Sequence, residues 1–141
     1  MNFINFLTQT NNIFFVVSAL LTGIYLIILS NKKNIFAIDV LEAINLINNK
    51  HAIILDLRIY SDFQKYHIAQ STNIQLDTLD SYLKNIAQDK NIIFIHDNNS
   101  IIEKLIINLR KKGFINTFYL SNGINTWISN DLPVVTDFKK K

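Results

Sequence analysis

The pattern of hydrophobic and polar residues between Asn91 and Gly113 predicts the centre of an α/β fold. Residues 92–95 are Ile-Ile-Phe-Ile, a run of β-branched and aromatic side chains that is typical of a parallel strand covered on both faces. After a short polar turn, apolar side chains recur at the spacing of one helix face, at Ile102, Leu105, Ile106 and Leu109. This segment is therefore predicted to form a buried strand, a turn and an amphipathic helix.

Polar residues mark both ends of the predicted helix. Ser100 and Glu103 have the spacing of a capping box, in which each side chain accepts a backbone N–H of the first turn. At the other end, basic residues precede Gly113, which suits a left-handed helix cap. The turn from His96 to Ser100 then follows the carboxyl end of a buried strand, where α/β proteins place ligands and chemistry.

Strands and helices alternate along the rest of the chain at similar spacing. Further strands are predicted over 35–38, 52–55 and 117–120. Helices are predicted to begin near Asp39 with Glu42, near Ser61 with Gln64, near Asp77 with Asp80, and around Trp127. Residues 67–75 are predicted to be irregular. The alternation predicts a three-layer α/β domain with a central, mainly parallel sheet of about five strands.

A segment near the N-terminus is far more apolar than any other. Residues 13–29, IFFVVSALLTGIYLIIL, carry no charge, and with Ser30 they approach the length that crosses a ~30 Å hydrocarbon core at ~1.5 Å per residue. A cleaved signal peptide or a buried core helix is the alternative, but the basic leader and small-residue cleavage site of a signal peptide are missing. The segment is therefore predicted to be a retained, single-pass transmembrane helix.

Charges beside this segment predict its orientation. Lys32 and Lys33 follow it directly, whereas the preceding residues contain no Lys or Arg. The positive-inside rule then places the N-terminus outside and the following domain in the cytoplasm, with the lipid bilayer of the cell membrane as a partner. The predicted parts are an N-terminal flank 1–12, a transmembrane helix 13–30, a linker 31–34, a globular domain 35–135 and a basic tail 136–141.

Composition excludes several classes of function. At 141 residues the chain has room for one domain with a real core, and a net charge of +3 from scattered residues gives no argument for nucleic acid. The chain contains no cysteine, which excludes a disulfide, a thiolate metal site and a cysteine nucleophile within it. His51, His67 and His96 show no metal-ligand spacing such as H-x-x-x-H. No metal or cofactor is expected.

Two blocks of sequence resemble the rhodanese family. The segment LDLRIYSDFQKYHIAQSTNI at 55–74 is similar to the family pattern D-x-R-x-x-x-E-[FY]-x-x-G-H-I-x-G-A-x-[NH]-[IL], and GFINTFYLSNGINTWISNDLPVV at 113–135 is similar to a second family pattern that ends in W-x-x-x-x-x-P-[VL]. The resemblance implies a single rhodanese-like domain. It also implies structural roles for matching residues, namely Asp56, Arg58, His67, Asn73, Gly113, Gly123, Trp127 and Pro133.

The resemblance breaks at the position that carries chemistry. Active rhodaneses have a cysteine directly after the central strand, which holds sulfur as a persulfide against backbone N–H groups of the following loop. In this chain His96 stands there, Asn99 replaces the loop glycine, and an imidazole forms no stable persulfide. The resemblance therefore implies a degenerate active-site loop without a catalytic residue, consisting of His96, Asp97, Asn98, Asn99 and Ser100.

Two hypotheses of different class follow. The first is a membrane-anchored, catalytically inactive rhodanese-like module that binds another protein at the cytoplasmic face, with 96–100 in the contact surface. The alternative is a sulfurtransferase-related or other residual enzyme that uses His96 or the loop amides on a small anion. The absence of cysteine favours the first hypothesis.

The predicted orientation is testable with a fusion protein. A reporter that is active only outside the cytoplasm, fused after Lys141, should give no signal, because Lys32 and Lys33 are expected to stay on the cytoplasmic side. The same reporter fused before Met1 should be active and serves as the control. A signal from the C-terminal fusion would refute the predicted orientation.

Overall fold

The computed structural model describes residues 10–30 and 34–137, and the chain divides into two compact units between Asn34 and Ile35. The described part of the first unit contains helix α1, Thr10–Ser30. The predicted flank 1–9, the two lysines at 32 and 33, and 138–141 of the predicted tail lie outside the described residues.

The structure does not support the transmembrane helix predicted over 13–30. Across the described part of the chain, no helix combines the length and the hydropathy needed to cross a membrane. In α1 the side chains are described over 12–27, which at ~1.5 Å per residue is roughly 24 Å, less than the ~30 Å hydrocarbon core.

The second unit alternates strands and helices along the chain. Its elements are β1 Ala37–Ile38, α2 Val40–Lys50, β2 Ile53–Asp56, α3 Tyr60–Lys65, β3 His67–Ile68, β4 Thr72–Asn73, α4 Leu79–Leu83, β5 Ile92–Ile95, α5 Asn99–Lys111, β6 Thr117–Leu120, α6 Gly123–Ser129 and β7 Val134–Val135. The predicted strands over 35–38, 52–55 and 117–120 correspond to β1, β2 and β6.

A five-stranded sheet forms the middle of this unit, in the order β1-β6-β5-β2-β4. Each neighbouring pair is parallel, and in the central pairing Leu55 lies opposite Phe94 and Asp56 opposite Ile95. The predicted α/β fold with a mainly parallel sheet of about five strands is thereby confirmed. Strands β2 and β5 end level with one another, so the segments that follow them lie at the same edge of the sheet.

The segment 67–75, predicted to be irregular, contains two short strands, and that prediction was wrong. Strand β3 pairs with β7 in a separate antiparallel ribbon, and β4 forms the outer edge of the main sheet beside β2. Each strand is only two residues long. Alternation of apolar and polar residues needs about four residues to become visible, so the sequence gave no signal for them.

Side chains of β5 alternate between two hydrophobic layers. Ile92 and Phe94 pack in one layer with residues of α4 and α5, whereas Ile93 and Ile95 pack in the other with residues of α2 and α6. All four are at most 1 % exposed. The strand is therefore covered on both faces, as its continuous apolar sequence predicted.

Helix ends agree with the sequence at some positions only. The Asp39 side chain accepts a hydrogen bond from the backbone N of Glu42 at 2.8 Å, as predicted, and Gly113 has φ +102° after α5. The predicted cap at Ser61 is wrong, because α3 already begins at Tyr60, after Ile59, and has no side-chain cap.

Candidate functional site

The candidate site lies where the chain leaves β5 and enters α5. His96 and Asn99 are half-buried, whereas Asp97, Asn98 and Ser100 are exposed. The ends of β2 and β6 flank β5 in the sheet, so the segments after those strands border the same edge. The loop predicted to be degenerate therefore lies at the position where an α/β sheet usually places its ligand.

A buried ion pair follows the neighbouring strand β2. Arg58 Nη2 lies 2.7 Å from Asp56 Oδ2, Arg58 Nε lies 3.0 Å from Oδ1, and the backbone N of Arg58 also donates to Oδ1 at 3.0 Å. Arg58 Nη2 donates a further bond to the carbonyl oxygen of Tyr66 at 2.9 Å. Asp56 is 0 % and Arg58 4 % exposed, so removing either charge would strand the other and cost about 3–5 kcal/mol.

This ion pair fixes the geometry of the chain beside the site. Asn73 Nδ2 donates to the carbonyl oxygens of Asp56 and Arg58 at 2.9 and 2.8 Å, which ties β4 to the segment after β2. Because both guanidinium and carboxylate groups are taken up by protein partners, the pair serves to hold the backbone rather than to bind a substrate.

The remaining residues that match the family patterns contact the protein itself. His67 Nδ1 lies 2.9 Å from the Phe63 carbonyl oxygen, and its ring stacks on that of Phe63 at 3.9 Å between centroids. Trp127 is buried, and its Nε1 donates to the carbonyl oxygen of Pro133 at 3.1 Å. These side chains pack and orient the backbone away from the 96–100 loop.

Gly123 allows α6 to begin against the loop. It has φ +59°, and a Cβ added to it would lie 2.7 Å from the carbonyl oxygen of His96 and 3.6 Å from Asp97 Oδ1. The preceding Asn122 also has a positive φ, 57°, a conformation that Asn tolerates well. A side chain at position 123 would push His96 out of place.

The N-cap of α5 is Asn98, and the predicted capping box of Ser100 and Glu103 was wrong. Asn98 Oδ1 accepts hydrogen bonds from the backbone N of Ser100 at 3.0 Å and of Ile101 at 3.3 Å. Glu103 instead accepts a bond from the Tyr119 hydroxyl at 2.8 Å. Asn is as good an N-cap as Ser, so the sequence offered two competent caps two residues apart.

The Tyr119–Glu103 bond also affects the phenol. Burial of Tyr119, together with this hydrogen bond and the nearby carboxylate charge, raises the pKa of Tyr119 above its usual value. Tyr119 therefore stays protonated and acts as a donor that holds α5 on β6.

The Asn98 side chain occupies the place where an anion would bind. An anion at a helix N-terminus is held by the first free backbone N–H groups, and here those of Ser100 and Ile101 already donate to Asn98 Oδ1. The backbone N of Asn98 donates to His96 Nδ1 at 2.8 Å. Asn99, in place of the loop glycine, adds a buried Oδ1 with no hydrogen-bond partner among the described residues, an acceptor that would repel an anion.

A shallow depression opens beside His96. Its volume is about 420 Å³, and its lining residues come from three separate segments: Leu57, Ile59, Gln75, Leu76, Asp77 and His96. The sequence analysis singled out only His96 as a site residue among them. The others carry no motif, because the loops after β2 and β4 meet β5 only through the order of strands in the sheet.

Within residues 10–30 and 34–137, no three His, Asp or Glu side chains are placed to hold a metal ion. His51 caps the end of α2, His67 lies in β3 and His96 follows β5. The structure does not bring the histidines together into one site.

Comparison with known proteins places the fold. A family model described as the rhodanese-like domain matches residues 39–130. An uncharacterized protein of Buchnera aphidicola is 34% identical over 121 residues, which cover 82% of this chain and 81% of that protein.

Solved structures show the same fold at low identity. A thiosulfate sulfurtransferase of Pseudomonas aeruginosa superposes with a TM-score of 0.62 and 18% identity, over 73% of this chain and 20% of that chain. A human single-domain sulfurtransferase superposes with a TM-score of 0.59 and 14% identity, over 68% of this chain and 97% of that one.

The assignment of the N-cap is testable by substitution. Asn98→Ala should lower the free energy of unfolding by about 1 kcal/mol because the helix loses its cap, whereas Ser100→Ala should change it by less than about 0.5 kcal/mol. Urea unfolding monitored by the fluorescence of Trp127, the single tryptophan, reports on this unit. Asn98→Asp keeps an accepting oxygen and is the control. A larger loss for Ser100→Ala than for Asn98→Ala would contradict the assignment.

Proposed function

The chain belongs to the rhodanese-like domain family, and from this premise we propose that it is a catalytically inactive member that binds another protein through the surface around 96–100. The observation that carries the proposal is the loop after β5, where His96 takes the position of the sulfur-carrying cysteine and Asn98 closes the anion-binding amides. The proposal includes a place at the cytoplasmic face of a membrane, which the fusion experiment tests.

Sulfur transfer of the family's kind requires a thiolate. A thiolate attacks the outer sulfur of thiosulfate, a persulfide forms and sulfite leaves, so the sulfur to be transferred stays covalently bound to the enzyme. No residue of the 141 is a cysteine. The serine at position 100 supplies only a hydroxyl, and its backbone N–H is engaged by Asn98. The chemistry of the sulfurtransferases with this fold therefore has no carrier here.

The alternative is a residual enzyme that acts on a small anion through the 96–100 loop. In its neutral form, His96 would have to use Nδ1 as the acceptor of the Asn98 N–H, which leaves the proton on Nε2. The ring then has no free lone pair with which to act as a base unless the Asn98 bond breaks. The hydrogen bonds of the loop thus support the inactive module over the alternative.

A protein-binding role fits the exposed surface that the loop forms. Asp97 and Asn98 are exposed at the turn, and Ile101 in the first turn of α5 is 43% exposed. The fixed strands and the Gly123 contact hold this turn rigidly. Loops that a rigid scaffold presents are the usual place for binding residues.

The absence of sulfur transfer is the first test. The purified protein should transfer no sulfur from thiosulfate or 3-mercaptopyruvate to cyanide above a heat-denatured control, because it contains no thiol. His96→Cys alone should restore little, since Asn98 would still occupy the loop amides. Clear turnover by the unmodified protein would refute the inactive assignment, and strong activity of His96→Cys would show that the anion site is still open.

Partner capture is the second test. Asp97→Lys combined with Ile101→Lys should abolish crosslinking to the partner in isolated membranes, because it reverses a charge and disrupts an apolar contact in the proposed surface. Asp89→Lys combined with Ile115→Lys makes the same changes at exposed positions elsewhere and is the matched control. Both variants should unfold at the same urea concentration as the parent. Equal capture by the two variants would exclude the loop as the binding surface.

A further inference from the structure

We propose that the depression beside His96 binds an arginine side chain of the partner, carried on an apolar segment. The inference rests on the proposed protein-binding function and names the chemistry of the partner at that site. It follows from three features of the depression, which are its apolar walls, the sign of its charge and the rigidity of one wall.

The walls of the depression are apolar and open. Ile59 is 61% and Leu76 46% exposed, while Leu57 is 4% exposed and contributes from the core. A single exposed apolar residue is ordinary on a protein surface. Here two of them border one concave space of about 420 Å³, which could bury the aliphatic part of a long side chain and its apolar neighbours.

The charge of the depression is acidic. Asp77 is exposed and lines it, and no Lys or Arg belongs to the lining. The nearest arginine in sequence, Arg58, is buried and bound by Asp56. The exposed Asp97 follows His96 directly and adds to the negative potential at this edge. A cation is therefore favoured and an anion disfavoured, which reverses the preference of a persulfide-binding loop.

The wall that carries Leu76 and Asp77 is held in place before any partner arrives. The carbonyl oxygen of Gln75 accepts bonds from the backbone N and Oγ1 of Thr78 at 3.1 and 3.0 Å, which closes a turn with Leu76 and Asp77 at its tip. Gln75 Nε2 lies 3.4 Å from the Arg58 carbonyl oxygen. Because the turn is already ordered, binding loses less conformational entropy.

Arginine suits this depression better than lysine. Its planar guanidinium can donate two parallel hydrogen bonds to one carboxylate, here that of Asp77, while its faces lie against aliphatic side chains such as Ile59 and Leu76. The ammonium of lysine is strongly hydrated and would leave the apolar walls uncovered.

Titration with short peptides tests the inference directly. The probes are acetyl-Leu-Arg-Leu-amide, its Glu-containing counterpart and acetyl-Gly-Arg-Gly-amide, added to the full-length chain in nonionic detergent and followed by backbone amide NMR shifts. The first probe should shift residues 75–77 and 96–98, and it should bind more tightly than either of the others. Higher salt should weaken its binding because the carboxylate is exposed. Equal affinity for the Glu peptide, or no binding of the Arg peptide, would overturn the inference.

Substitutions assign the binding to the named residues. Asp77→Asn should weaken the Arg peptide roughly threefold or more, whereas Asp89→Asn, at an exposed site elsewhere, should leave its affinity unchanged. Leu76→Ser should weaken the Leu-Arg-Leu peptide and leave the Gly-Arg-Gly peptide unaffected. An affinity unchanged by Asp77→Asn would also overturn the inference.

The two proposals can fail separately. If the Asp97 and Ile101 variant loses its partner while the Arg peptide does not bind, the protein-binding function stands and the arginine inference fails. If the peptide binds in an Asp77-dependent way while capture ignores the loop, the arginine site stands and the proposed loop surface fails.

Discussion

Burial of β5 on both faces is the constraint on which the rest of the domain depends. Ile92 to Ile95 face two separate hydrophobic layers, and the strand is hydrogen-bonded to β2 on one side and β6 on the other. A strand with no free face and no free edge cannot shift its register without burying polar groups. The position of His96 is therefore fixed by the core, whatever residue occupies it, which explains how the loop kept its place after its chemistry was lost.

The sequence predicted what depends on long apolar patterns. The four apolar residues of β5 and the spacing from Ile102 to Leu109 located the central strand and its helix correctly, because their burial leaves a direct mark on residue type. The paired blocks at 55–74 and 113–135 identified the family. The two-residue strands β3 and β4 were missed, since they are held by partners far along the chain and are too short to show a period.

The candidate site was predicted in place but not in detail. Ser100 and Glu103 matched a capping box by spacing alone, yet Glu103 bonds to Tyr119, a residue of the next strand that local spacing cannot reveal. With Glu103 engaged there, Asn98 caps the helix, and the cap determines which loop amides are free. The depression joins residues after β2, β4 and β5, so it appears only when the strand order is known.

The same hydrogen bonds connect the loss of one function with the gain of another. Once the side chain of Asn98 satisfies the helix N-terminus from within, the loop no longer needs an external anion, and a negative charge nearby carries no penalty for binding. Asp97 and Asp77 can then face solvent at an edge that would otherwise hold a persulfide. Closure of the anion site and the acidic character of the depression are thus two consequences of one cap, and they favour a cationic ligand on an inherited, rigid scaffold.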